Sequence, residues 1–312
     1  MITGVIGTGH LGYHHARILG NITGSKIPIF DIDTERMNML SSELNVKPFG
    51  DIDSFLNECD SVVVACSTSS HYQVVLKTLD AGKHVLVEKP IAADTSQGRE
   101  MVDLAQENNL ILAVGHVERF NPAILAAAEL IDEPMFVEGH RMAPYNPRGT
   151  DVSVVLDLMI HDIDLLLSFV HSPVISVHAS GVPVLSDNVD IATARVEFKN
   201  RCVANMTASR ISREQVRKLR FFQRRKYVSV DFASRKVEAF KVAGNTIEPI
   251  SVSVSDGDAL TAELNDFREA CTTGRSPTVT GLDGLKALGS AQIISTEIQN
   301  AMKEVMKDIP VR

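Results

Sequence analysis

The sequence predicts an α/β fold in two domains: a doubly wound parallel sheet over residues 1–120, and over 121–312 an α/β domain with an open, largely antiparallel sheet. Through the first domain, short β-branched runs alternate with helical patterns, as parallel strands with crossover helices require. The glycine-rich segment Gly7-Thr8-Gly9-His10-Leu11-Gly12 stands directly behind the apolar run from Ile2 to Ile6 and opens a helix. Beyond Phe120, strand-like segments follow one another with few helices between them.

Taken in order, the first strand and its glycine turn read as a dinucleotide cradle of Rossmann type. The first glycine allows the tight turn, the second lets backbone approach a pyrophosphate, and the third lets the helix pack on the strand. The helix from His10 then aims its N-terminal amides at phosphate. A second apolar run, Ile27 to Phe30, leads to Asp31 and Asp33, and Asp31 lies 19 positions after Gly12. That is close to the roughly 20 at which a carboxylate accepts bonds from ribose hydroxyls. The carboxylate would repel a 2'-phosphate, so NAD is expected over NADP. Val62 to Cys66 reads as a buried strand, and Ser67 and Thr68 follow where a strand end faces the cofactor. A helix from His71 to Ala81 stops at Gly82. The strand Val85 to Val87 runs into Glu88-Lys89-Pro90, and a helix over 95–108 precedes the strand 110–114. About six strands are expected.

His10 and His14 have the i, i+4 spacing of helical metal ligands. A zinc ion there would compete with phosphate for the same helix start, and no glutamate stands beside His10, so no metal is expected. In the second domain a helix is expected over 122–131, with strands over 136–142, 174–180, 191–198, 202–209, 217–222 and 227–232. Helices over 152–170, 259–272 and 282–302 are placed to cover one face of that sheet. No internal repeat or low-complexity segment interrupts the chain.

Composition narrows the function classes. A net charge of −8 with no basic tail argues against a general nucleic-acid binder. The four cysteines form no CxxC pair and no metal spacing, and read as thiols in a reducing compartment. The first strand begins almost at Met1, which leaves no room for a cleaved signal, so a cytoplasmic protein is expected. The most apolar stretch, 152–170, carries Asp157, His161, Asp162 and Asp164, too many polar groups for a membrane span.

Three groups downstream of the cradle suit removal of hydrogen from an alcohol: Lys89, Asp157 and His161. Oxidation of a secondary alcohol needs a base at the hydroxyl proton while the carbon hydride faces the nicotinamide. Histidine titrates near working pH, a lysine can stabilise a developing alkoxide, and Asp157 lies four residues before His161, on one helix face. An ordinary surface helix would also explain the last two.

The N-terminal GxGxxG, Glu88-Lys89-Pro90 after a later strand, and Asp157-x-x-x-His161-x-x-Asp164 together resemble the Gfo/Idh/MocA family, over nearly the whole chain. The resemblance implies a Rossmann domain followed by an α/β domain whose open sheet makes homodimer or homotetramer contacts. It implies Lys89 as catalytic lysine, His161 as proton-transfer residue and Asp157 as substrate-positioning acid. It adds Glu88 and Lys89 to the cofactor-binding set of Gly7, Thr8, Gly9, His10, Leu11, Gly12, Asp31, Ser67 and Thr68. Val154-Val155-Leu156 and Met159 depart from the glycines common in the family at those places.

Val114 to Pro122 lies at the expected domain junction, where pockets form. His116, Arg119 and Asn121, with Lys89, Asp157 and His161, are the expected substrate-binding residues. This segment, together with Leu158 to Asp164, resembles the branch that oxidises the 3-hydroxyl of UDP-N-acetylglucosamine toward amino sugars of lipid A. Arg213, Arg217, Lys218, Arg220, Arg224, Arg225 and Lys226 crowd 14 residues. They could bind a diphosphate, or equally form a solvated sheet edge or an acid-paired contact. The alternatives are a dehydrogenase of a free sugar or cyclitol, a tetrapyrrole reductase, and an NAD-dependent sensor without turnover.

Overall fold

A parallel strand buried on both faces needs apolar side chains at successive positions, and the N-terminal runs supply them. In the computed structural model, which describes residues 1–146 and 152–308, they form a six-stranded parallel sheet. Its strands are β1 (Thr3–Ile6), β2 (Ile27–Phe30), β3 (Val46–Pro48), β4 (Ser61–Val64), β5 (His84–Glu88) and β6 (Leu112–Gly115). The spatial order β3-β2-β1-β4-β5-β6 reverses direction between β1 and β4, the place where such sheets hold ligands. The connecting helices are α1 (His10–Thr23), α2 (Thr34–Glu43), α3 (Ile52–Glu58), α4 (Thr68–Asp80) and α5 (Thr95–Glu107). Asp33, Asp51 and Asp94 cap α2, α3 and α5 by accepting first-turn N–H groups. Gly24 ends α1 in the left-handed conformation at φ +66°.

The second sheet has eight strands in the order β14-β13-β12-β11-β7-β10-β9-β8. They are β7 (Phe136–Met142), β8 (Val174–Val182), β9 (Ile191–Phe198), β10 (Val203–Ser209), β11 (Val216–Gln223), β12 (Lys226–Asp231), β13 (Lys236–Ala243) and β14 (Thr246–Ile250). Only β7 and β10 pair in parallel. The central strands alternate: Val137, Ala204, Leu219, Phe221, Val228 and Val230 are buried in one core, beneath α6 (Pro122–Ala127), α7 (Ile160–Phe169) and the later part of a long C-terminal helix.

The other face is open. It carries a cross-strand ladder of rings, Phe136 beside Phe222 at 5.8 Å, Phe222 beside Tyr227 at 5.1 Å, and Tyr227 stacked on Phe240 at 6.2 Å. Phe222 is 38% and Phe240 37% exposed.

Three expectations change here, and one of them is that the helix over 259–272, expected to cover a face of this sheet, packs instead into the core of the parallel sheet beside Ala16, Leu19 and Ile29. The helix expected over 152–170 is interrupted: Val155–Met159 forms a single π-helical turn before α7 begins. The hairpin of β13 and β14 was not expected, because its side chains are largely exposed and give little apolar rhythm. Elsewhere the expected strands are recovered to within a residue or two.

After β14 the chain contributes α8 (Ala259–Thr273) and α9 (Gly281–Asp308). The chain divides into two units, 1–117 with 258–285, and 118–257 with 286–312. The first is therefore discontinuous in sequence. Leu264 and Phe267 of α8 enter the same core as Ala16, Leu19 and Ile29, while Ala287, Ala291, Ile294 and Ile298 of α9 enter the core of the second unit.

One carboxylate organises the loop between β8 and β9. Asp190 Oδ2 accepts from the backbone N–H groups of Val184 (2.8 Å), Leu185 (2.6 Å) and Ser186 (2.9 Å), and Oδ1 from the Ser186 hydroxyl (2.6 Å). The guanidinium of Arg210 lies 3.7 Å away. Burial works to raise its carboxyl, but the Ser186 hydroxyl and the three N–H donors outweigh it and hold it below the usual carboxylate range. Asp190→Ala is expected to destabilise the protein by roughly 3 kcal/mol or more, because a buried cation loses its counter-charge and three backbone N–H groups lose their acceptor. Urea unfolding at neutral pH checks this. The loss is expected to fade as pH falls below the ordinary carboxylate range toward the lower folded value, because the unfolded chain takes up a proton there that folded Asp190 does not.

Candidate active site

The glycine turn between β1 and α1 is shaped by two close approaches. Gly7 adopts φ +91° and its N–H donates to Phe30 O at 2.9 Å. Gly12 packs on that turn so closely that a Cβ there would fall 1.8 Å from Gly7 O. His10 is the first residue of α1, Leu11 follows it at the surface, and Gly9 at the N-cap supplies no side-chain cap. The helix also has no acidic residue in its first turn. Amides left open in this way favour an anion.

Asp31 closes the other side. Its Oδ2 accepts from Thr8 N at 2.6 Å and Thr8 Oγ1 at 2.9 Å, and its Oδ1 from Asp33 N at 2.9 Å. Burial works to raise its carboxyl, but the N–H groups of Asp33 and Thr8 and the Thr8 hydroxyl outweigh it and hold it below the usual range. It is therefore ionised at neutral pH, with acceptor capacity left on Oδ1 for a ribose hydroxyl. A cavity of about 460 Å³ opens here, lined by Gly7, Gly9, Asp31, Arg36, Ser67 and Ser70 among others. Ser67 is the N-cap of α4 and Thr68 its first residue. Arg36, ion-paired with Asp33 at 3.4 Å, is a cavity residue that sequence reading missed; its position one turn into α2 carried no distinguishing pattern.

Lys89 follows β5 directly, and the turn that carries it is held on both sides. Before it, the Glu88 side chain points inward, with Oε1 2.7 Å from His15 Nε2 of α1. After it, the cis-linked Pro90 accepts through its carbonyl from His71 Nδ1 of α4 at 2.9 Å. Burial lowers the His71 pKa and keeps the ring neutral. His116, just beyond β6, is 1% exposed.

The remaining predicted residues belong to the second unit. Asp157 lies in the π-helical turn and His161 is the second residue of α7; both are partly buried, whereas Asp162 and Asp164 are fully buried. Those two acids are anchors. Asp162 accepts from Arg141 of β7 at 2.7 Å (Nη2) and 3.1 Å (Nε), and Arg141 Nη1 also donates to Glu118 at 2.9 Å. Burial opposes the charge on Arg141, but Asp162 and Glu118 outweigh it and hold the guanidinium protonated. Burial raises the Asp162 carboxyl, against the pull of Arg141. Arg119 forks onto Asp164 with bonds of 2.7 and 2.8 Å. Asn121 caps α6 through Ala123 N at 3.1 Å and donates to Glu118 at 3.0 Å. Arg119 and Asn121 thus both have framework roles in the structure.

The basic run resolves in the same way at two positions. Arg220 pairs with Glu138 at 2.7 Å and Lys218 with Asp231 at 3.3 Å, each directly across a strand pair on the open face.

The oxidoreductase family GFO_IDH_MocA, with an NAD-binding Rossmann fold, matches residues 1–116, and the GFO/IDH/MocA C-terminal domain matches 127–225. The UDP-N-acetylglucosamine 3-dehydrogenase of Acidithiobacillus ferrooxidans is 36% identical over 306 residues, covering 96% of this chain and 97% of that protein. A solved structure of that enzyme superposes with a TM-score of 0.92, over 96% of this chain and 98% of that one. The scyllo-inositol 2-dehydrogenase (NAD(+)) of Bacillus subtilis is 24% identical over 96% of this chain and 94% of its own length. An Agrobacterium radiobacter oxidoreductase in complex with NAD+, L-tartaric acid and magnesium shares the fold, with a TM-score of 0.83 at 16% identity and coverage of 96% of this chain and 97% of that one.

The cradle separates two effects that glycine substitutions usually confound. Gly12→Ala forces a Cβ into backbone that cannot yield, so both melting temperature and NAD affinity are expected to fall, the latter at least about ten-fold. At Gly9 an added Cβ meets nothing nearer than Arg36 Nη1 at 4.0 Å. Gly9→Ala is therefore expected to keep the melting temperature while weakening NAD, because the methyl intrudes where the pyrophosphate approaches. Thermal melts and calorimetric NAD titrations of the two variants check this.

Proposed function

This chain belongs to the Gfo/Idh/MocA family of NAD-binding oxidoreductases, and on that premise we propose that it oxidises the 3-hydroxyl of UDP-N-acetylglucosamine to a ketone. It is an NAD-dependent dehydrogenase acting on a CH–OH group. The substrate reading rests on one observation, the 36% identity over 96% of the chain to a UDP-N-acetylglucosamine 3-dehydrogenase.

The cradle fits the cofactor: Gly7, Gly9 and the first turn of α1 suit its pyrophosphate, and ionised Asp31 suits a ribose hydroxyl while repelling a 2'-phosphate. When bound, NAD supplies a hydride acceptor. The protein must then remove the hydroxyl proton and support the negative charge that develops on oxygen. In our reading His161 accepts the proton, and the Lys89 ammonium donates to the same oxygen and stabilises alkoxide character. Asp157 orients the sugar or the imidazole, and His116 contributes to the substrate pocket. Because Arg119 and Asn121 are tied into the framework, we assign them the shaping of that pocket.

The 3-keto sugar would serve an amino-group transfer toward the amino sugars of lipid A. The exposed aromatic ladder supports a homodimer or homotetramer formed through the C-terminal sheet. No helix among the described residues is long and apolar enough to cross a membrane, and all four cysteines are free, which agrees with a cytoplasmic enzyme. A second reading, a dehydrogenase of a free cyclitol, gains support from the acid partners of Lys218 and Arg220, which leave those two cations less suited to a diphosphate.

Incubation with NAD and UDP-N-acetylglucosamine, UDP-glucose, myo-inositol or glucose, in the presence of a ketone trap, separates the readings. Selective NADH formation with UDP-N-acetylglucosamine and a product lighter by two mass units is expected; selective reaction of myo-inositol would favour the second reading. Lys89→Ala is expected to lower kcat by about 10²- to 10⁴-fold while NAD binding survives. Unchanged turnover would remove Lys89 from the chemistry.

A further inference from the structure

Three titratable side chains meet inside the first unit, beside the strand end that leads into Lys89. His15 of α1, Glu88 of β5 and Glu263 of α8 each bring one ligating atom within 4.8 Å of the others, and all three residues are buried. Glu263 is 2% exposed. His15 Nε2 lies 2.7 Å from Glu88 Oε1. Neither carboxyl oxygen of Glu263 has a hydrogen-bond partner, and neither does His15 Nδ1. A fourth wall is Gly115, where a Cβ would fall 2.9 Å from Glu88 Oε2.

Two carboxyl groups and an imidazole at this depth need a positive charge among them, either a metal ion or a proton. A metal-bound histidine donates its other ring N–H to an acceptor, and His15 Nδ1 has none. An Nδ1–H with no acceptor would be costly at this depth, so the ring proton is assigned to Nε2, which faces Glu88. Glu88 is then a hydrogen-bonded carboxylate. Glu263 has no such donor. Burial pushes its carboxyl well above the usual range, with Glu88 and then Asp266 adding to the effect. The charged and titratable groups around the cluster are His15 from α1, Lys89 beyond β5, His71 from α4 and Asp266 on α8 itself.

We propose that Glu263 is a positioning residue that acts as a neutral carboxylic acid: its proton keeps the His15–Glu88–Glu263 cluster at a single negative charge, so that the end of β5, and Lys89 with it, stays seated between α1 and α8. The consequence for Lys89 rests on its proposed catalytic role; the protonation state does not.

Infrared difference spectroscopy of the intact protein at neutral pH, unaltered against Glu263→Gln, is expected to show a protonated-carboxyl C=O band that the variant lacks. The folded state retains a proton that the unfolded chain releases, so stability falls as pH rises from the ordinary carboxylate range toward the raised value. Glu263→Gln has no such proton, and its melting temperature is expected to gain on the unaltered protein between pH 5 and about pH 8. Glu263→Ala is expected to lower kcat about ten-fold or more with a smaller change in KM for NAD, and Glu263→Gln to restore most of it. Absence of the band, or a Glu263→Gln melting difference that does not change with pH, would overturn the proposal. So would an equimolar divalent metal that co-purifies with the protein and is lost in the variant. Band, melts and metal content need no substrate, so a failed substrate panel leaves this test standing.

Discussion

The placement of His161 depends on a buried ion pair. Arg141 reaches from β7 to Asp162, the residue after His161, and to Glu118 at the entry of the second unit. Arg119 does the same for Asp164 one half-turn later. Charges at this depth are costly alone and tolerable only when paired with good geometry, so α7 has one seating in which both acids are satisfied. A helix anchored on its buried side by two guanidinium groups presents its other residues at a fixed rotation. His161 in α7 and Asp157 in the turn before it are only partly buried. The arrangement secures orientation more than stability, which is what a proton acceptor needs from its support.

The first unit meets a different electrostatic demand. Around the cradle the backbone provides the positive end of a helix, and Asp31 is the nearby fixed negative group, ionised because three donors converge on it. Deeper inside, the Glu88 carboxylate is hydrogen-bonded to the His15 ring. The two acids differ in burial and in donors, and so they differ in role: Asp31 faces the cavity, whereas Glu88 braces the turn that carries Lys89.

Much of this was legible in the sequence, and the failures have physical causes. Five of the six Rossmann strands were readable because burial on both faces demands continuous apolar runs, whereas β3, with Lys47 and Pro48 exposed, shows no such run. The hairpin of β13 and β14 was overlooked because exposed strands such as Lys236–Ala243 carry charge at alternate places, although Gly244-Asn245 between two short runs is itself a hairpin signal. The interruption of the helix at Val155–Met159 leaves no mark in an apolar pattern. Asp162 was read only as a polar residue unfit for a membrane, since its partner Arg141 is remote in sequence. Glu263 resembles a surface acid, yet Leu260, Leu264, Phe267 and Cys271 place it inside the apolar stripe of α8. His15 stands likewise within the stripe of Gly12, Ala16 and Leu19. A polar residue inside an apolar stripe was the available signal for both.

The discontinuity of the first unit bears on how the chain is made. Leu264 and Phe267 fill the core that Ala16, Leu19 and Ile29 begin, and they follow the whole second sheet in the chain. A ribosome therefore delivers all six parallel strands long before the helix that completes their packing. Until α8 emerges, the nascent sheet has apolar surface on that side without its native cover, and Glu88 and His15 lack one of their walls. Synthesis order thus leaves the cofactor unit, although it is the first to be translated, unfinished until nearly the whole chain has been made.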